Sequence, residues 1–298
     1  MKVLVTGTSG QLGFDVMEEL ARRGYESVGA DRNATEVKFS HVVLDITDKE
    51  KVKEVILKIK PDVIVHCAAW TNVDAAEEPE NLKVVRAVNV DGTRNLALVA
   101  KEVDAKFVYI STDYVFDGSG ERPWEPDDKN YAPINVYGQS KLDGELEVSQ
   151  ILDKYFIVRI AWVFGKNGKN FIKTMIEVGK THPVVKVVDD QIGTPTYTFD
   201  LAKLIVDMIE TDKYGYYHAT NEGGYISWAD FAEEIYKQAE MSVKVEHVST
   251  EEYEKIVGKT TAKRPFNSRL NKTKLVKRGF KLLPDWKDAV GRFLNEKK

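Results

Sequence analysis

Short apolar runs alternate with helical patterns along the first half of the chain. The apolar runs predict strands at Lys2–Thr6, Glu26–Ala30, Val42–Ile46, Pro61–Cys67, Lys106–Ser111 and Phe156–Trp162. Between them, helical patterns occupy Gln11–Arg23, Lys49–Lys60, Pro79–Val103 and a stretch that begins near Tyr137. Strands separated by helices are typical of βαβ units and of a parallel, doubly wound sheet. We therefore predict an α/β fold with a Rossmann domain at 1–165 and 187–212 and a smaller C-terminal substrate lobe at 166–186 and 213–298.

The first strand leads directly into a glycine-rich turn of the form G-x-x-G-x-x-G. Glycines let the backbone turn sharply and let a pyrophosphate approach the helix N-terminus, where free N–H groups favour negative charge. The strand-turn-helix context makes this a strong signal for a dinucleotide cofactor. The predicted contacts from the turn are Gly7, Ser9, Gly10, Gln11, Leu12 and Gly13.

The second strand ends at Asp31 and Arg32. An acidic residue about 20 positions after a glycine turn is placed to accept hydrogen bonds from an adenosine ribose. A neighbouring guanidinium can instead pair with a 2′-phosphate. The sequence therefore predicts a nicotinamide cofactor and leaves NADH and NADPH both open.

Tyr137 and Lys141 are four residues apart, which places both side chains on one face of a helix. A nearby ammonium is expected to lower the pKa of a tyrosine, so that Tyr137 could exchange a proton near neutral pH. About one such pair is expected by chance in a chain with 13 tyrosines and many lysines. Thr112, at the end of a predicted strand, is a candidate to hydrogen-bond a carbonyl oxygen beside them. We predict Thr112, Tyr137 and Lys141 as the catalytic residues.

Composition excludes several classes of protein. A net charge of −4 and a pI near 5.9 provide no basic field for nucleic acid. A single cysteine, Cys67, is inconsistent with a disulfide framework and suits a reducing compartment. No apolar run reaches the length of a membrane span, the N-terminus reads as a strand, and the histidines lack metal-ligand spacing. We expect a cytoplasmic protein with no nucleic acid, membrane or metal partner. No sequence pattern specifies the oligomeric state, and a homodimer is the assembly we consider.

These motifs resemble the extended short-chain dehydrogenase/reductase family. Within that family they are similar to the dTDP-4-dehydrorhamnose reductases. The segments that carry the similarity are Gly10–Gly13, Ala68–Glu77, Ser111–Gly118, Asn135–Glu145, Arg159–Gly165 and Asp190–Thr196. After about residue 200 the sequence similarity is weaker and is confined to Gly215–Ala219 and Ser268–Leu270.

The resemblance implies reduction of the 4-keto group of a dTDP-sugar, dTDP-6-deoxy-L-lyxo-4-hexulose, to dTDP-L-rhamnose with NADH or NADPH. It implies further cofactor contacts, together with Tyr137 and Lys141, at Asp45, Ile46, Ala68, Ala69 and Thr71. It also implies that the sugar is bound by Thr71, Val73, Thr112 and Trp162. Arg264 and Arg269, in the smaller lobe, are candidates to pair with the diphosphate.

Two other functions fit parts of the pattern. A nucleotide-sugar epimerase or dehydratase would share the fold and the tyrosine-lysine pair, but dehydratases of this family carry Thr-Asp-Glu at the strand end. Here Tyr114 follows Thr112 and Asp113, which counts against dehydration more than against epimerisation. The second alternative is a non-catalytic subunit like the regulatory subunit of methionine adenosyltransferase. The presence of Thr112, Tyr137 and Lys141 argues against it.

Overall fold

A seven-stranded parallel sheet forms the centre of the protein, in a computed structural model that describes residues 1–33, 39–258 and 262–295. The strands are β1 (Lys2–Thr6), β2 (Glu26–Asp31), β3 (His41–Val43), β4 (Val63–His66), β5 (Lys106–Thr112), β6 (Tyr155–Ile160), β7 (Val163–Phe164), β8 (Val184–Val188), β9 (Ile192–Gly193), β10 (Thr196–Tyr197), β11 (Gly215–His218), β12 (Ile226–Ser227) and β13 (Lys244–Val248). The large sheet has the order β11-β6-β5-β4-β1-β2-β3. This confirms the predicted doubly wound α/β fold.

Helices cover both faces of that sheet. The helices are α1 (Gln11–Arg22), α2 (Lys49–Ile59), α3 (Val73–Ala76), α4 (Leu82–Arg86), α5 (Thr93–Glu102), α6 (Val136–Ile151), α7 (Phe171–Gly179), α8 (Thr198–Ile209), α9 (Trp228–Gln238), α10 (Thr250–Val257), α11 (Thr273–Lys277) and α12 (Trp286–Asn295). Val3 and Val5 of β1 pack with α1 and α8, whereas Leu4 packs with α2, α5 and α6. Both faces are buried, which explains why the central strands are almost continuously apolar.

A smaller lobe packs around a separate cluster of aromatic side chains. Its core includes Phe164, Phe231, Trp286 and Phe293, which are almost fully buried. Three short ladders, β7 with β10, β9 with β12 and β8 with β13, connect the loops and helices of this region. In the described parts of the chain, no helix is long and apolar enough to cross a bilayer.

In two places the strand pairing puts a segment in a different part of the protein from the predicted domain boundaries. β11, in the range 213–298 that we assigned to the smaller lobe, pairs with β6 at the edge of the large sheet. Conversely, Val187 and Val188, in the range assigned to the Rossmann domain, belong to β8 and pair with β13. The helix expected in 187–212 is α8, which packs on α1. Both differences arise because pairing partners are distant in sequence.

A π-helical segment interrupts the long helix predicted at Pro79–Val103. The π turn covers Ala87–Gly92 and joins α4 to α5. A Cβ atom at Gly92 would lie 2.7 Å from Cγ1 of Ile46, so the helix approaches the loop after β3 closely there. π turns are frequent at functional sites, and this one contains Asn89, whose contacts are described below.

An ion pair is buried between α6 and β6. Nε and Nη2 of Arg159 donate to Glu145 at 2.8 and 2.7 Å, and both side chains are fully buried. Arg159 also donates to the carbonyl of Pro126 and to the hydroxyl of Tyr131. The pair thus fixes α6, which carries Tyr137, to the sheet and to the long polar segment before it.

We expect Glu145→Gln to lower the free energy of unfolding by about 3–5 kcal/mol, because it leaves the Arg159 charge buried without its partner. Urea denaturation monitored by circular dichroism measures the change. Glu147→Gln is the matched control, since Glu147 also lies on α6 and pairs with Arg94 at a more exposed position. The control should cost roughly 0–1 kcal/mol. Equal losses in the two variants would contradict the prediction.

Candidate active site

A cavity of about 1240 Å³ opens at the carboxyl ends of the strands of the large sheet. Ligands of parallel α/β sheets bind at this edge. With the exception of Arg264 and Arg269, every residue predicted to bind cofactor or substrate or to act in catalysis lines the cavity. The structure therefore brings together predicted site residues that are up to 155 positions apart, from Gly7 to Trp162.

The glycine turn forms a close junction between β1 and α1. Gly7 has φ +74°, and a Cβ atom there would lie 2.6 Å from the amide nitrogen of Ala68. A Cβ atom at Gly13 would collide with the carbonyl oxygen of Gly7. Gly10 is the N-cap of α1 and has no side chain to cover the first N–H groups of the helix. This surface fits a pyrophosphate, which needs close approach to the backbone and free N–H donors.

Asp31 ties the end of β2 to the glycine turn. Its Oδ2 accepts hydrogen bonds from the backbone N–H and the hydroxyl of Ser9, at 3.0 and 2.6 Å. Its Oδ1 accepts from the N–H of Arg32 at 2.8 Å. The carboxylate is thus held at the cavity wall, while the Arg32 side chain is exposed at the rim.

Thr112 and Tyr137 meet where β5 ends and α6 begins. Asn135 caps α6 by accepting a hydrogen bond from the N–H of Gly138 at 2.7 Å. A Cβ atom at Gly138 would collide with the carbonyl oxygen of Tyr114, so α6 lies directly against the turn that follows Thr112. The Thr112 side chain is near enough to the Tyr137 phenol to act on its pKa, and it opposes the increase described below. The two side chains are therefore neighbours at the wall of the cavity.

Burial dominates the pKa shifts of the candidate catalytic residues Tyr137 and Lys141. It raises the pKa of Tyr137 above the usual value, and the neighbouring Asp113 raises that pKa further. Our expectation of a lowered tyrosine pKa is therefore wrong for this structure, because desolvation dominates. Burial lowers the pKa of Lys141 to about 7, and its Nζ lies over the ring of Tyr109, 4.0 Å from the centroid.

Asp113 is a polar contact that the sequence analysis did not assign to the site. The hydroxyl of Thr112 donates to Oδ1 of Asp113 at 2.9 Å, and burial raises the pKa of Asp113 to about 6. The carboxylate thus fixes the rotamer of the Thr112 hydroxyl. Its adjacency to Thr112 was visible in the sequence, but its burial and orientation were not.

Asn89 is a second residue that the sequence analysis missed. Its side chain accepts from the N–H of Trp70 at 2.8 Å and donates to the carbonyl of Trp70 at 3.1 Å. It also donates to the hydroxyl of Ser140, which in turn donates to the carbonyl of Tyr137. Asn89 therefore connects the loop after β4 to α6, the helix that carries Tyr137 and Lys141. The local sequence signal for this role is an asparagine between Val88 and Val90, and the structure shows that its side chain is buried.

Arg264 and Arg269 do not line the cavity. Nη2 of Arg264 lies 2.7 Å from Oδ2 of Asp74. Nη1 of Arg269 donates to Oδ1 of Asn267 at 3.2 Å. Their contact with a diphosphate stays a prediction, and each would have to leave its present partner to make it.

A glycine turn at a helix N-terminus, with a tyrosine, a lysine and a threonine at one sheet edge, defines the class of short-chain dehydrogenases/reductases. The chain matches the family model of the RmlD substrate binding domain over residues 1–298. It is 39% identical to dTDP-4-dehydrorhamnose reductase of Aggregatibacter actinomycetemcomitans, with 97% of each chain covered. It is 34% identical to the spore coat polysaccharide biosynthesis protein SpsK of Bacillus subtilis, covering 99% of this chain and 98% of that protein.

Solved structures lead to the same family. A crystal structure of dTDP-4-dehydrorhamnose reductase from Bacillus anthracis in complex with NADP superposes with a TM-score of 0.90, at 42% identity and 99% coverage of both chains. The chain therefore belongs to the dTDP-4-dehydrorhamnose reductase family. The family predicted from the motifs is confirmed.

Proposed function

We propose that this protein reduces the 4-keto group of dTDP-6-deoxy-L-lyxo-4-hexulose (dTDP-4-dehydrorhamnose) to give dTDP-L-rhamnose, with NADH or NADPH as reductant. The observation that carries the proposal is that Thr112, Tyr137 and Lys141 share one cavity with the glycine turn. The activities named for its relatives support the same reaction.

The residues of the cavity fit a nicotinamide dinucleotide. The turn from Gly7 to Gly13 would hold the pyrophosphate, Asp31 the adenosine ribose, and Lys141 the nicotinamide ribose. When bound, the reduced nicotinamide supplies the hydride. Asp45, Ile46, Ala68, Ala69 and Thr71 also line the cavity and complete the proposed cofactor site.

Tyr137 is the proposed proton donor to the ketone oxygen. Because its pKa is raised, the phenol is protonated at neutral pH and has a proton to give. The hydroxyl of Thr112 lies beside it and would donate a hydrogen bond to the same oxygen, stabilising the charge that develops there. For this the hydroxyl must turn from Asp113, its acceptor in this structure, toward the ketone.

The sugar ring would lie between the strand ends and the smaller lobe. Thr71, Val73 and Trp162 line that part of the cavity and are its proposed walls. Binding energy from the nucleotide would position the ketone, so a free sugar without the nucleotide should be a poor substrate.

A screen of purified protein with NADH and with NADPH against a panel of 4-keto nucleotide sugars tests the function. We expect oxidation of the cofactor with the dTDP-4-keto-6-deoxy sugar and formation of dTDP-L-rhamnose. Interconversion of UDP-hexoses without net cofactor oxidation would replace this proposal with an epimerase. Cofactor binding without turnover of any nucleotide sugar would favour a regulatory subunit.

Arg32→Ala should weaken NADPH binding by about 1–3 kcal/mol, the size of a lost charged hydrogen bond, and leave NADH binding unchanged. The reason is that the exposed guanidinium at the end of β2 can reach a 2′-phosphate, whereas Asp31 serves the ribose hydroxyls. Fluorescence titration of both cofactors measures the effect. Arg94→Ala, an exposed arginine on α5 paired with Glu147, is the control. Equal weakening of both cofactors would refute this role for Arg32.

A cytoplasmic location and a homodimeric assembly complete the proposal. The single cysteine, Cys67, leaves no disulfide framework and suits a reducing compartment, so the location we propose is cytoplasmic. We retain the homodimer as the proposed assembly. Light scattering coupled to size-exclusion chromatography would measure the mass in solution directly.

A further inference from the structure

The indole of Trp162 stacks on the indole of Trp228 at the cavity. The ring centroids are 3.8 Å apart and the planes differ by 17°. Trp162 follows β6 of the large sheet, whereas Trp228 is the first residue of α9 in the smaller lobe. Both residues line the cavity. The stack is therefore a contact between the two parts of the protein at the proposed sugar site.

The backbone of Trp162 has an unusual conformation. Its φ is +52°, a region that residues other than glycine rarely adopt. Its carbonyl accepts a hydrogen bond from the N–H of Thr196 at 3.1 Å, and the next two residues pair with β10. Such strain persists only where the surrounding structure holds it, and it is concentrated at functional sites.

Gly193 provides the space that the Trp162 ring occupies. A Cβ atom at Gly193 would lie 2.8 Å from Cε2 and 3.0 Å from Cζ2 of Trp162. The pairing of β9 with β12 places Gly193 beside Ile226, two residues before Trp228. The Trp162 ring thus lies between the face of the Trp228 indole and the backbone of Gly193. We call this space, formed by Trp228 and Gly193, the tryptophan slot.

We propose that the tryptophan slot fixes the Trp162 indole as one wall of the sugar pocket, and that Trp228 is a positioning residue for recognition of the 4-keto sugar ring. This inference rests on the proposed function. A rigid wall of this kind orients the ring so that its ketone faces Thr112 and Tyr137, and small displacements of reacting groups reduce rates strongly. The cofactor contacts lie on other segments, so their affinity should not depend on the slot.

Two variants test the slot from its two sides. Gly193→Ala should displace the Trp162 ring and weaken the far-ultraviolet exciton couplet that stacked indoles produce, without removing either indole. Trp228→Ala should raise KM for the dTDP-4-keto sugar by about tenfold, as expected when a stacked aromatic pair is lost. In both variants the dissociation constant of NADPH should stay within about twofold of wild type, since each acts on the sugar wall alone.

Two further variants, Trp228→Phe and Trp286→Phe, distinguish an effect on the position of the Trp162 ring from a general effect on packing of the smaller lobe. Trp228→Phe keeps a ring against Trp162 and should restore the sugar KM although the couplet is lost. Trp286 lies in the same lobe, more deeply buried than Trp228, and packs edge-on against Phe231, so Trp286→Phe should leave both the couplet and the sugar KM unchanged. Thermal denaturation of each variant checks that it is folded. If Trp228→Ala fails to fold, Trp228→Phe and Gly193→Ala still test the inference.

Three results would overturn the inference. The first is an unchanged couplet in Gly193→Ala, and the second is a wild-type sugar KM in Trp228→Ala. The third is a parallel loss of cofactor affinity, which would indicate a general loss of structure. A wild-type protein that turned over no 4-keto nucleotide sugar would instead refute the proposed function, and the sugar-pocket role with it. The wild-type assay thus distinguishes the two failures.

Discussion

Replacing Tyr137 with phenylalanine should lower kcat for ketone reduction by about 10²–10⁴-fold, the usual contribution of a general acid. The substitution removes only the hydroxyl that lies beside Thr112, and the edge-to-face contact with the ring of Tyr114 at 5.7 Å is retained. Cofactor affinity should therefore stay within about twofold of wild type, because the Tyr137 hydroxyl carries little of that binding energy. Steady-state kinetics and cofactor titration measure the two quantities.

Tyr236→Phe is the matched control for this prediction. Tyr236 is also a buried phenol, and its hydroxyl donates to the carbonyl of Met175 at 3.0 Å in the smaller lobe. Loss of that hydrogen bond should cost roughly 1 kcal/mol of stability and leave kcat unchanged. Turnover of Tyr137→Phe within a few fold of wild type would show that Tyr137 is not the acid.

The sequence predicted the sheet well because its signals are local. Each central strand is a short apolar run, and the glycine turn after β1 has its own spacing. The edge strand β11 was assigned to the wrong region, since its partner β6 is about 60 residues away and nothing in Gly215–His218 specifies that pairing. The ladder of β8 with β13 was missed for the same reason.

The candidate site likewise contains residues that local motifs identify and residues whose position depends on tertiary packing. Residues in recognisable motifs, such as Gly7 and Tyr137, reach the cavity as expected. Arg264 was chosen from its charge alone, and in the structure its guanidinium pairs with Asp74. The direction of that side chain depends on how the smaller lobe packs, which the sequence does not specify. The pKa of Tyr137 was predicted with the wrong sign, since charge proximity is visible in a sequence whereas burial is not.

Lys141→Met should abolish turnover and also weaken cofactor binding, because Lys141 is proposed to hold the nicotinamide ribose in the cavity that it shares with Tyr137. The structure adds a third expectation, which is higher stability. Burial lowers the pKa of Lys141 from the ordinary 10.5 to about 7. Below pH 7 the folded protein therefore carries a buried ammonium at a cost in free energy, and methionine removes that cost.

The pH dependence of this stability gain follows from proton binding. Between pH 7 and 10.5 the unfolded chain holds a proton on Lys141 that the folded protein does not, so this group makes the wild type more stable as pH rises through that window. The free energy of unfolding of Lys141→Met should thus exceed that of the wild type most near pH 6, by on the order of a few kcal/mol, and the difference should decrease toward pH 10. Urea denaturation across this range measures it.

Lys101→Met provides the control for the pH series. Lys101 is exposed on α5, and its replacement should change the free energy of unfolding by less than about 0.5 kcal/mol at every pH. If Lys141→Met were no more stable than wild type at pH 6, Lys141 would not be a desolvated ammonium in the folded protein. A gain in stability together with lost turnover would show that the charge is kept at this position for catalysis, at the expense of the fold.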